Sequence, residues 1–311
     1  MSKLKVVGLT ALAGTFAMGS VQALEMSASG SAGFTFSSSD DDEVHGERFS
    51  FGDSITLSGS GETDQGWTVK ASYELDDGNT PYDDQSVSIA TDSGTFWVMT
   101  GMEKGGAVKL TPNAYGSASY SLASAVTETA NHVSNGVTGT TNIGYTNGDI
   151  AGVDLTIGMS PGATGGSDVA IAIKKADIVD GMTVGVSIGD VNQADATNSA
   201  TEVTLSASYA MGGLTVGITD LSIDQDAASS SDIDAMHVGA SFAVNDDLTV
   251  SVDRSTADNA QKSVDEVTTS YQVSYTMGSM TIKGHLTKTD DVGYASGTDD
   301  ENKALAVSFS F

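Results

Sequence analysis

SYQVSYTMGSMTIKGHL, residues 270–286, decides the fold. Tyr271, Val273, Tyr275 and Met277 alternate with polar residues, and after Gly278-Ser279 the alternation resumes with Met280, Ile282 and Leu286. A period of two sends successive side chains to opposite faces, so each run reads as a β-strand with one apolar and one polar face. The dipeptide between them has the composition of a two-residue hairpin turn.

The pattern continues in both directions. Toward the N-terminus it includes Leu248, Val250 and Val252; Met236 to Val244; Leu214, Val216 and Ile218; Val203 to Tyr209; Met182 to Ile188; Val169 to Ile173; and Val153 to Met159. Earlier still come Trp67 to Leu75 and Phe49 to Leu57, and at the other end Leu305, Val307, Phe309 and Phe311. With weaker strands near residues 26–36, 87–91, 95–102 and 143–145, the expected total is sixteen, an even number that returns both ends of a barrel to one side.

The connections alternate as well. Asn147-Gly148, Asp180-Gly181, Gly212-Gly213, Asn245 to Asp247 and Gly278-Ser279 are tight-turn sequences. Between them lie longer acidic segments: Ser38 to Glu43, Asp190 to Ser199, Ile223 to Asp234, Ser255 to Asp265 and Asp290 to Glu301. The polar faces carry Ser, Thr and Gly with few long charged chains, as at Thr204, Ser206 and Ser208. A soluble sandwich or repeat protein needs a charged exterior. An apolar face against lipid and a small polar face around water describe an all-β, transmembrane antiparallel β-barrel.

The N-terminal segment, residues 1–23, reads as a secretory signal peptide: Lys3 and Lys5, an apolar run from Val6 to Met18, then Val21-Gln22-Ala23. The barrel domain is expected over 24–311. Cysteine is absent, so neither a disulfide framework nor a thiolate metal site is available. The 41 acidic residues outnumber 13 basic ones, two of them in the leader, and the remaining chain carries a charge of about −30. Such a chain excludes nucleic acid as a partner, because phosphates are bound by Lys and Arg.

Motifs for catalysis are missing. His45, His132, His237 and His285 lack ligand spacing, and no nucleophile elbow, phosphate loop or dinucleotide fingerprint is present. No enzymatic activity and no cofactor are expected. Asp40, Asp41 and Asp42, or Asp299, Asp300 and Glu301, are weak candidates for Ca²⁺, since carboxylates suit a hard cation, but they lack the spaced ligands of an EF-hand loop. A solvated acidic surface is the better account of them.

The ending LAVSFSF (305–311) resembles the C-terminal strand by which outer-membrane barrels are recognised for insertion. With the start LEMSASGSAGF (24–34), the chain resembles over its whole mature length the trimeric general porins of alphaproteobacteria, the Rhodobacter type. The resemblance implies a homotrimer of sixteen-stranded barrels in the bacterial outer membrane, passing small hydrophilic solutes and ions. It also implies a partner in the barrel assembly machinery, engaged through Phe311. In that family the third long loop folds into the lumen, and its acidic residues face basic residues on the wall.

Residues 103–141 form the longest stretch without period-two patterning and are the candidate constriction loop, with Glu103 and Glu128 as its acids. This is fewer acids than the family pattern leads one to expect; Lys104, Lys109, Tyr115 and Tyr120 also lie in the loop. Strand parity selects wall candidates opposite: Arg48, Lys70 and Lys283, with Lys174, His237 and His285 by the same rule. Arg or Lys facing lipid at mid-depth would cost about 2–4 kcal/mol. The rival readings are a plugged structural or adhesive barrel, a barrel enzyme and a soluble β-repeat. Sixteen strands favour an open channel, because that circumference leaves an aqueous interior.

Overall fold

The computed structural model describes residues 25–39, 46–76, 84–100, 108–115, 141–148, 150, 152–161, 167–191, 199–226 and 232–311. The leader at 1–23 therefore lies outside the described residues. Sixteen strands follow one another: β1 (Glu25–Ser39), β2 (Gly46–Glu62), β3 (Thr68–Asp76), β4 (Gln85–Thr91), β5 (Gly94–Thr100), β6 (Asn142–Asn147), β7 (Asp154–Pro161) and β8 (Ser167–Lys175) make the first half. The second half is β9 (Met182–Val191), β10 (Ala200–Met211), β11 (Leu214–Gln225), β12 (Ile233–Ala243), β13 (Leu248–Asn259), β14 (Glu266–Met277), β15 (Met280–Asp290) and β16 (Asp300–Ser310).

Every strand pairs antiparallel with its neighbours in the chain, and β16 returns to β1, so the sheet closes into one barrel. At the closure Phe34 stands opposite Val307, and Gly30 and Phe311 exchange two backbone hydrogen bonds of 2.9 Å. Closure pairs the backbone groups that an open sheet edge would leave bare, which is the condition for crossing hydrocarbon with strands. No helix among the described residues is long and apolar enough to cross a membrane.

The alternation in the sequence becomes two chemically different walls. Phe51, Val98, Ile171, Leu205, Val252 and Leu305, from strands spread around the circumference, all point outward and are exposed. A water-soluble monomer does not expose apolar side chains on this scale. Tight turns gather at one rim: Gly212 and Gly278 open two-residue turns with φ of 61° and 62°, a conformation that glycine adopts without steric cost. At the same rim Asn245 Oδ1 accepts from the amides of Asp247 and Leu248, each at 2.9 Å. The longer connections gather at the other rim.

Several boundaries differ from the sequence reading. Trp67 belongs to a turn, where its amide donates to Thr63 Oγ1, and β3 starts one residue later. Val153 likewise precedes β7. The turn at Asp180-Gly181 begins after Lys175, with Asp177 also at positive φ. The segments expected as loops at Ile223 to Asp234 and Ser255 to Asp265 are partly strand: β11 runs to Gln225, β12 begins at Ile233 and β13 ends at Asn259. There the alternation does not stop. It inverts, with Leu221 and Ile223 apolar on the face opposite to Leu214, Val216 and Ile218.

Candidate functional site

The inner wall has two unlike halves. On β1 to β4 the inward side chains are mostly Ser and Thr, partly open to the lumen and paired across strands, as in Ser31 with Ser54 and Ser58 with Ser72, each at 3.2 Å. Hydroxyls serve as both donor and acceptor for water and for hydrated solutes. On β9 to β15 the inward side chains are largely buried, among them Ser187, Thr219, Ser251, Gln272 and His285.

A strap of backbone crosses this second half. Residues 108–115 run across the strands. Val108 N donates to Ser187 Oγ on β9 at 3.1 Å, and the hydroxyl of Ser206 on β10 donates to Val108 O. Leu110 N reaches Thr219 Oγ1 on β11 at 3.2 Å, and Thr111 Oγ1 donates to His237 O on β12 at 3.2 Å. Ala114 N meets Ser251 Oγ on β13 at 2.9 Å and Tyr115 N meets Gln272 Oε1 on β14 at 3.0 Å. On β15, Lys283 Nζ donates to Tyr115 O at 2.8 Å, while the Tyr115 ring meets His285 edge-on with centroids 4.6 Å apart. The wall hydroxyls and amide thus supply the partners that strand neighbours supply elsewhere. Leaving one such buried amide unpaired costs about 1–3 kcal/mol.

The wall is shaped to receive the strap. Gly185, Gly217 and Gly239 face inward beneath it, and a Cβ at Gly217 would stand 2.8 Å from Pro112 Cδ, one at Gly239 2.8 Å from Thr111 Cγ2. Behind the strap, Asp253 accepts from Gln272 Nε2 at 2.7 Å and pairs with His237 Nε2 at 3.2 Å. That bond turns the Gln272 amide so that its oxygen faces Tyr115 N and Ser251 Oγ. The arrangement is an aqueous lumen narrowed by an inward strap, with one hydroxyl-lined wall that the described residues leave open.

The family model for Gram-negative porins matches residues 8–311. The chain belongs to the Gram-negative porins. Among solved structures, the anion-selective porin from Comamonas acidovorans superposes with a TM-score of 0.69 at 12% identity, covering 93% of this chain and 100% of that one. A variant of the Rh. blastica porin gives a TM-score of 0.64 at 17% identity, covering 92% and 100%. No curated protein sequence matches the chain. The porin is an outer-membrane general diffusion channel, with a sixteen-stranded barrel of the kind its relatives share.

Within the porin, Arg48, Lys70, Lys174 and Lys283 stand apart from one another on the wall. Arg48 is exposed near the loop end of β2, on the face opposite to Phe49 and Phe51. Lys70 is the third residue of β3, close to the turn end, and borders a recess of the wall with Glu25, Ser27, Ser58 and Ser60. Lys174 pairs with Asp154 at 3.2 Å. Lys283 is joined to the strap. Glu103, Glu128, Lys104, Tyr120, His45 and His132 lie outside the described residues, as do Asp40, Asp41 and Asp42.

Asp299, Asp300 and Glu301 are separately engaged, by the Asp291 amide, the Ser39 hydroxyl and Lys303. Among the described residues no three potential metal ligands come together. Sequence reasoning missed Ser187, Thr219, Ser251, Gln272 and the track glycines. On the sequence they are ordinary polar-face residues, and nothing marks which polar face a distant loop covers.

Proposed function

We propose that this porin works as a homotrimer and passes small hydrated solutes and ions with a preference for cations. The observation that carries the preference is the distribution of inward charge. Arg48 and Lys70 stand near opposite ends of the open wall, Lys174 is neutralised by Asp154, and the Lys283 ammonium is turned to a backbone carbonyl. Glu74, Asp76 and Asp300 share the inward face, in a chain of formal net charge −28. A negative lumen with low-dielectric walls concentrates cations. Glu103 and Glu128 on the loop would act at the constriction, with Arg48 lining the wall toward the loop rim and Lys70 toward the turn rim. No bond is made or broken, and no cofactor is required.

The trimer reading is supported by the outer face of β1 and β2. Phe34, Phe36, Phe49 and Phe51 crowd there, with Phe34 and Phe49 stacked 5.5 Å apart, beside Asp53, the eighth of seventeen residues in β2. A carboxylate on the outer face at mid-strand suits a protein neighbour better than lipid. The Phe311 ring packs over Gly30 at the barrel seam, and assembly in cells is expected to depend on it.

The test is single-channel recording of the detergent-extracted protein in a planar bilayer under a salt gradient. Current steps in groups of three and a zero-current potential of cation sign are expected. A potential of anion sign would overturn the preference.

A further inference from the structure

Toward the loop rim, β11 to β13 turn their polarity inside out. Leu221 and Ile223 share a face with Thr219, whose hydroxyl bonds the strap inside the lumen, so both point inward, and both are buried. Ala235, Ile233, Ala257 and Ala200 join them in one apolar cluster. On the outside of the same stretch stand Asp220, Asp224, Asp234 and Asp258, all exposed. Exposed carboxylates in such number belong in water. This part of the wall therefore rises clear of the hydrocarbon, and its inner side carries a small buried apolar cluster of the kind a soluble protein builds, edged by the buried Glu202 opposite Ile223.

The last member of that core is not on the wall. Tyr294, 8% exposed, comes from the loop joining β15 to β16, where residues 292–294 form a short 3₁₀ turn. The loop is internally braced. Val292 N donates to Thr298 O at 2.7 Å and Gly297 N to Asp291 Oδ1 at 2.6 Å. It is also tied to the wall, Gly293 N donating to Glu266 Oε2 on β14 at 2.6 Å. Tyr294 holds a φ of 61°, a conformation that a bulky residue adopts only when its surroundings impose it, and Asp291 holds 58°, which aspartate tolerates better than most residues. The surroundings here are a ring buried at one end and a carboxylate bond at the other.

We infer that this loop, seated by Tyr294, forms a fixed shelf inside the outer mouth, a second constriction in series with the strap, and that Tyr294 determines which bulky solutes enter from the loop side. The inference rests on the porin reading. A shelf at one mouth acts on large solutes arriving from that side, whereas the strap acts on solutes from both sides.

The experiment adds neutral poly(ethylene glycol) of graded size to one side of a bilayer holding the full protein. For the unaltered channel, the largest polymer that enters and lowers the conductance is expected to be smaller from the loop side than from the turn side. Tyr294→Ala is expected to shift the loop-side cut-off to larger polymers and leave the turn-side cut-off in place, and Tyr294→Phe to retain the original asymmetry. Gly293→Pro removes the amide that bonds Glu266 and cannot hold a φ of 65°, so it releases the loop without touching a strand and is expected to reproduce Tyr294→Ala. Equal cut-offs from both sides in the unaltered channel, or an asymmetry that persists in folded Gly293→Pro, would overturn the shelf. An inserted barrel that passes no current would overturn the porin reading instead.

Discussion

Gly217 and Lys283 hold the strap by opposite means, one by leaving room and the other by bonding. A side chain at Gly217 meets Leu110 and Pro112, so Gly217→Val is expected to lift the strap into the lumen and lower single-channel conductance. The heat-modifiable gel mobility of the folded barrel should stay unchanged, because the residue lies on an inner face that makes no lipid contact. Lys283→Met removes a hydrogen bond from a charged donor, worth about 1.5–3 kcal/mol, or roughly ten- to a hundredfold in strap occupancy. Its signature is current flicker, and a quiet trace at unaltered conductance would show that Lys283 does not hold the strap. The inward direction of Lys283 is legible from its parity with Ile282. Its partner is not, because Tyr115 lies 168 positions away and no local pattern links them.

At the scale of the strand, the two faces answer to different solvents. Ile171, in the middle of β8, points outward, and Ile171→Arg is expected to cost about 2–4 kcal/mol, read by urea unfolding of the protein in lipid vesicles. Ser88, on the inward face of β4 opposite Lys70, should accept arginine with little loss of stability but move the zero-current potential toward anions. Equal losses of stability at the two positions would contradict the assignment of faces. Strand existence and facing were legible wherever lipid selects apolar side chains. They were lost at the loop ends of β11, β12 and β13, where water lies outside and Leu221, Ile223 and Ile233 turn inward, so that a reading keyed to an outward apolar face took strand for loop.

For the whole molecule, charge and assembly are the measurable properties. Cation preference is expected to weaken as salt rises from 0.1 to 1 M, since screening shortens from about 10 Å to about 3 Å, below the width of an aqueous lumen. Unboiled samples are expected to migrate as trimers, and mass spectrometry of the outer-membrane form should place its first residue at Leu24. A monomeric band, or a chain retaining Met1, would refute these two in turn.

The barrel and the facing of most of its wall follow from the sequence alone, because strand periodicity and the contrast between lipid and water are local; the count of sixteen leaned on weak strands at 87–91 and 95–102, which pairing in the closed barrel settles. The sequence also showed where a long unpatterned loop departs from the barrel. Only the tertiary structure decided that residues 108–115 lie on β9 to β15, that glycines make their bed, and that Tyr294 fills an inverted core at the outer mouth. Those contacts join segments far apart in the chain, where the wall needs only small or polar residues of ordinary kinds. What selects the pairing is shape and hydrogen-bond complementarity, which exist only once the barrel has closed.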